Sequence, residues 1–194
     1  MDIFLIKEKI NRGENVDFLV GKKKLTALTG AFVVLMLIGV AIAFFAKNIL
    51  FGGVMLCLIC GYFALQMGKA LLSPQLPAVL LINKDFLGIF DKPIALFGKS
   101  DAYATIEWKE ISDIKMEVLG GRRGSTTPHI ILQCTNSAIQ NLNNHKQQIA
   151  GSGLFRVYEI AGNSVILNSP SFMDIPLKDV FDLLKEIHKD INTA

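Results

Sequence analysis

Charge is scarce in this chain: 19% of its 194 residues are Asp, Glu, Lys or Arg, and between Leu25 and Ala46 there is none. With a 51% apolar composition concentrated in that region, a wholly soluble protein is excluded. Cysteine is nearly missing too. Cys57, Cys60 and Cys134 are an odd set with two members inside the apolar block, which excludes a secreted disulfide framework and suits a domain facing a reducing compartment. His129, His145 and His188 are scattered, with no cysteine or carboxylate at ligand spacing, so neither a metal site nor a cofactor is expected. No serine occupies a G-x-S-x-G elbow, and the C-x-x-C formed by Cys57 and Cys60 has neither a basic partner nor further ligands. Those two read as small apolar residues. The sequence discloses no reaction.

What the chain does have is two apolar runs. Leu25–Ala46, as a helix rising about 1.5 Å per residue, reaches roughly 30 Å, the thickness of a bilayer's hydrocarbon. After Lys47 and Asn48, Ile49–Gly68 is a second uncharged run with Gln66 near its end. Two polar residues between them force the second helix back beside the first, since lipid cannot satisfy the backbone of an open loop. A transmembrane hairpin follows, and the rival reading, a cleaved leader ending near Ala41–Ala43, sits badly with a second span directly behind it. Lys22, Lys23, Lys24 and Lys69 flank the outer ends against Lys47 alone at the turn, which predicts both termini in the cytoplasm. Small residues recur every four positions: Ala27, Ala31, Gly39 and Ala43 on the first helix, with Leu35 interrupting, and Gly53, Cys57 and Gly61 on the second. Packing inside the hairpin explains them first, and a seam for a second copy or another membrane protein second.

The expected organisation is an N-terminal cytoplasmic segment (1–24), the hairpin (25–72, with spans 25–46 and 49–68), a linker (73–77) and a soluble domain (78–194). In the first segment Ile3, Phe4, Leu5, Ile6 and Ile10 cluster without a clean period, leaving an interfacial helix, a strand on the domain and a loose tail all open. Ser73-Pro74-Gln75-Leu76-Pro77 ends the second span. Beyond it, Ala78–Asn83 and Leu87–Phe90 read as a hairpin about Lys84-Asp85. Tyr103–Trp108, Ile111–Leu119, His129–Thr135, Leu154–Ile160 and Val165–Leu167 read as further strands, with Ile111 out of phase and so marking a bulge or a later start. Asn136–Ala150 reads as a short helix or ordered excursion. Leu177, Val180, Phe181, Leu184, Ile187 and Ile191 recur at helical steps behind Asp174 and Pro176, predicting an amphipathic C-terminal helix with Asp174 as its start signal.

The fold class is therefore a transmembrane α-helical hairpin plus an α+β soluble domain: about seven strands in a strongly bent antiparallel sheet or partial barrel, capped by the C-terminal helix. That plan is pleckstrin-homology-like (PH-like). The order of lysine cluster, two spans, Pro77-Ala78 with Leu81-Ile82-Asn83, Ile106-Glu107-Trp108-Lys109-Glu110-Ile111, and Asp174-Ile175-Pro176-Leu177 resembles an uncharacterised family of small bacterial membrane proteins with two transmembrane helices and a PH-like domain. The resemblance covers most of the chain from Lys22 onward. It implies the bacterial cytoplasmic membrane and carries over no catalytic residue. This chain departs from the family in its longer N-terminal segment and its loop at Lys92–Asp101.

Partners are read from charge. From residue 75 onward 12 basic residues face 13 acidic ones, so the net positive charge is membrane-proximal and nucleic acid is excluded. Lys22–Lys24 set topology before they attract headgroups. In Gly120–Thr127, Arg122 and Arg123 can grip a partner's carboxylate or phosphate, although a solvated hairpin tip is the plainer reading and the Walker lysine is missing. Glu107 and Glu110 around Trp108 read as charges bracketing a core aromatic rather than as an acid–base pair. The expected function is a non-enzymatic, membrane-anchored binding module that recruits or regulates another membrane or membrane-associated protein, or itself. The alternative is an immunity or accessory protein acting through its hairpin.

Overall fold

The computed structural model describes residues 3–45, 50–74, 76–90, 103–120, 126–148, 158–168 and 173–193. Two helices, α2 (Lys22–Phe45) and α3 (Leu50–Leu72), are long and apolar enough to cross a membrane. Each overruns its expected span: the lysine triplet forms the first turn of α2, and Lys69 lies in the last turn of α3.

The rest of the chain is α+β, and among the described residues the strands expected in one strongly bent sheet or partial barrel divide between two sheets that do not close into a barrel. They form two four-stranded antiparallel sheets. Sheet A has the order β1 (Val16–Leu19), β2 (Ala78–Ile82), β3 (Phe86–Phe90), β4 (Tyr103–Glu107). Its β2–β3 turn falls at Lys84-Asp85, where the Asn83 side chain accepts from the Asp85 N–H at 3.0 Å. After a single 3-10 turn (Trp108–Glu110) the chain enters sheet B, ordered β5 (Ile111–Gly120), β6 (Thr126–Cys134), β8 (Ser164–Leu167), β7 (Tyr158–Ala161). The out-of-phase Ile111 marks a true irregularity, since the β5–β6 register shifts between Ile111 and Asp113. Helix α4 (Asn136–Gln148) separates β6 from β7, and Gly162, at φ +60°, starts the tight β7–β8 turn. Sheet B is thus no simple meander, because β7 lies outside β8.

The N-terminal segment, for which the sequence left an interfacial helix, a strand on the domain and a loose tail open, is from Ile3 onward part of the domain. Helix α1 (Ile3–Asn11) buries Ile6 and Ile10 in the common core, and β1 pairs with β2 through Val16↔Ile82 and Leu19↔Ala78. The helix pair is therefore an insertion between two hydrogen-bonded neighbours, leaving sheet A after Leu19 and re-entering it at Ala78. One core joins everything: Phe18, Leu80, Ile82, Ile106, Trp108, Ile130 and Leu132 from the sheets, Ala138 and Leu142 from α4, and Val180, Leu183, Leu184 and Ile187 from α5 (Leu177–Thr193). The helical spacing of those α5 residues turns one stripe inward, as the period predicted.

Candidate functional site

Three places among the described residues are candidates for a functional site. The first is the root of the helix pair. Gly21 has no side chain to cap α2, so the Asp174 carboxylate, which the sequence offers as a start signal for α5, instead accepts from the Lys23 N–H at 3.0 Å. Lys24 Nζ donates to the Met173 carbonyl, and Leu25 and Met67 are buried in the domain core. Burying two such side chains is worth about 1.5–3 kcal/mol each. The root of the pair is thus packed into the domain.

Within the pair, the small residues face each other. A Cβ on Gly53 would lie 2.6 Å from the Ala43 nitrogen, and one on Gly39 would lie 2.8 Å from the Cys57 nitrogen. Gly61 is looser, with Met36 Sδ at 3.3 Å. Gly53, Cys57 and Gly61 therefore belong to the α2–α3 contact, which is the packing role, and of the first-helix stripe Ala27 and Ala31 stay exposed. The lysine triplet and Lys69 are exposed at the root end of the helices.

The second place is a cleft of about 260 Å³ at the far end of sheet A, where α1, α5 and the β2–β3 turn converge. Ile10, Ile187 and Ile191 make its apolar floor, and Lys7, Lys84, Asp85 and Asp190 line it. The Lys7 ammonium lies 2.5 Å from Glu186 and 3.1 Å from Asp190. The hydrogen bond to Glu186, supported by Asp190, holds its pKa above the usual 10.5, so Lys7 is a fixed cation and not a base. Lys84 is exposed and makes no ion pair among the described residues. An apolar floor with one free cation suits an amphipathic ligand or a partner's side chains. Sequence reasoning missed this cleft because its walls come from three distant segments, and the helical spacing of Ile187 and Ile191 that was legible does not say what they meet. A smaller polar recess of about 160 Å³ lies between β4 and α4, lined by Tyr103, Thr105, Asn141 and His145 among others.

The third place is the Trp108 turn. Trp108 is 1% exposed and its Nε1–H donates to the Asn83 carbonyl at 2.8 Å, so it is core. The flanking carboxylates hold the turn: Glu107 pairs with Lys109 at 2.5 Å, and Glu110 accepts from Ser137 Oγ at 2.9 Å and from the Glu107 N–H at 3.4 Å. Burial, with the Glu110 charge adding to it, pushes the Cys134 thiol up to about 12, which leaves it protonated and unreactive at neutral pH. Arg122, Arg123 and the loop Lys92–Asp101 lie outside the described residues. Among the described residues no cluster of three or more His, Cys, Asp or Glu could hold a metal ion. Neither a family model, nor a curated protein, nor a solved structure matches this chain.

Proposed function

We propose that this chain is a non-enzymatic protein of the bacterial cytoplasmic membrane, in which α2 and α3 cross the bilayer and a PH-like module on the inner face binds a membrane or membrane-associated protein. The observation carrying this reading is the way the helix pair is mounted. It leaves and re-enters sheet A between neighbouring strands, which would keep both termini on one side of any membrane. The core helix of a soluble protein is mostly covered, whereas 6% of the apolar window of α2 and 17% of that of α3 is buried. The positive-inside rule supports the cytoplasm as that side, with Lys22, Lys23, Lys24 and Lys69 at the root against the single Lys47 in the sequence between the two apolar runs. The PH-like plan draws on two antiparallel sheets followed by a capping helix, with β7 outside β8 as the departure from it. The cleft of Lys84, Ile10 and Ile191 is the candidate binding surface.

The test is extraction and labelling. Carbonate-washed vesicles should retain the protein, and a C-terminal cysteine tag should resist an impermeant thiol reagent on intact cells. Release by carbonate, or labelling from outside, ends the reading. A second reading, in which the hairpin itself occupies a partner's membrane surface, draws on Ala27, Gly30 and Ala31, which remain exposed on α2. Nothing lies within 4 Å of a Cβ built at Gly30. Loss of partner crosslinking in Gly30→Leu with retention in Lys84→Glu would favour the hairpin, and the reverse pattern favours the cleft.

A further inference from the structure

Sheet B ends, among the described residues, on an unpaired strand of unusual composition. β5 is ten residues long, and β6 covers it on one side only. β8 reaches only Ile130–Gln133 of β6, so the outer half of the β5–β6 hairpin, from Glu117↔His129 to Gly120↔Thr126, is a bare two-stranded ribbon. Pro128, which has no N–H to offer a neighbour, falls in that bare part of β6. Two-stranded ribbons are marginal in water. On one face of this ribbon Met116 and Val118 are 41% and 62% exposed, continuing the line of buried Ile114. On the other face stand Asp113, Lys115 and Glu117, with Lys115 Nζ 3.4 Å from Asp113 Oδ2.

Charges on an edge strand normally repel further strands, and in most registers these would. An antiparallel pairing of β5 with the same strand of a second copy, centred on residue 115, sets Lys115 against Lys115 and Asp113 against Glu117. Centring on 117 sets Glu117 against itself. Centring on 114 draws the irregular Ile111–Asp113 stretch into the ladder. Centring on Met116 alone uses straight strand, matches Lys115 with Glu117 twice, sets Ile114 opposite Val118, and covers both exposed apolar side chains. We infer that β5 is a self-complementary edge, through which two copies of this chain join their B sheets about a two-fold axis at Met116. An isologous contact of this kind closes at two copies. The inference rests on the edge of sheet B and not on membrane insertion, so the carbonate and tag experiments can fail without touching it.

The test is a register scan on the full chain in mild detergent, with Cys57, Cys60 and Cys134 replaced by alanine and one cysteine introduced at Ile114, Met116 or Val118. Met116→Cys should give a disulfide-linked dimer on mild oxidation, since residues opposed across an antiparallel pair have Cα atoms about 4.5–5.5 Å apart, within disulfide reach. Val118→Cys should crosslink at least about tenfold less, its two copies standing four residues, about 14 Å, out of register. In the chain with its native cysteines, Lys115→Glu should weaken the dimer about fivefold by sedimentation, and Lys115→Glu with Glu117→Lys should restore it. A crosslinking maximum at 114 or 118, a double swap as weak as the single reversal, or a native chain that sediments as a monomer at tens of micromolar would each overturn the proposal.

Discussion

In α2 and α3 the large apolar side chains point outward, Phe44 and Phe51 each at 79% exposure, while glycines line the contact between the helices. In the two sheets the order is reversed: Leu80, Ile82, Leu87 and Ile106 are inside and the charges are outside. A hydrophobic effect cannot hold the first arrangement together, because its interior is made of backbone and small side chains and its apolar bulk faces away. Close backbone approach does that work instead, as in lipid, where helix association depends on packing. One chain thus carries two packing rules, and the boundary between them runs through Leu25 and Met67, which obey the sheet rule although they belong to the helices.

Substitutions should break the two regions by different mechanisms. Trp108→Ala should have the largest effect, about 3–5 kcal/mol off the stability of the sheet domain, read by denaturant titration with the helix pair still helical by circular dichroism. Gly53→Leu should come next, with an overpacking cost of about 1–3 kcal/mol confined to the helix pair. It should show as a lower melting temperature in detergent with sheet-core amide protection unchanged, whereas Gly30→Leu should have no effect, and equal responses at the two glycines would erase the distinction. Asp174→Ala sits on the boundary. It removes the cap of α2 at a cost of about 1 kcal/mol and should raise amide exchange both in the first turn of α2 and around Met173, where a purely local cap would affect one of them.

At neutral pH titration has the smallest effect, since it begins only in alkali. The folded Cys134 has its pKa raised to about 12 from 9.0, so its contribution is fully present below pH 9 and lost as pH rises toward 12. Lys7 is also raised, above 10.5, and its ion pairs are likewise intact below that pH and fade above it. Stability should therefore decline from pH 9 upward, and Cys134→Val should flatten the first part of that decline. A thiol reagent at pH 8 that modified Cys134 in the folded chain as fast as in urea would contradict its burial.

Most of the elements were legible in the sequence because each rests on local periodicity. The uncharged run from Leu25, the alternation of Ile114, Met116 and Val118, the Lys84-Asp85 turn and the stripe from Val180 to Ile191 each depend on neighbours within a few positions. Asp174 was legible as a helix start but not as the start of the right helix, since its partner Lys23 is 151 residues away. The candidate cleft was illegible for the same reason, because Lys7, Lys84 and Ile187 meet only when three segments pack. The direction faced by Gly53 was open in the sequence, where a small-residue stripe is the same string whether it meets its own hairpin or a stranger.

The amino-acid order by itself determined the two helices of membrane length, the seven strands that follow them among the described residues and the final amphipathic helix, because solvent preference and backbone periodicity are written residue by residue. Only the tertiary structure decided that Val16–Leu19 is an eighth strand, that the helix pair is inserted inside the domain rather than hung before it, and that the strands divide into two sheets. Those outcomes depend on which distant segments bury each other's surfaces, and pairing of that kind leaves no local mark on the segments that take part.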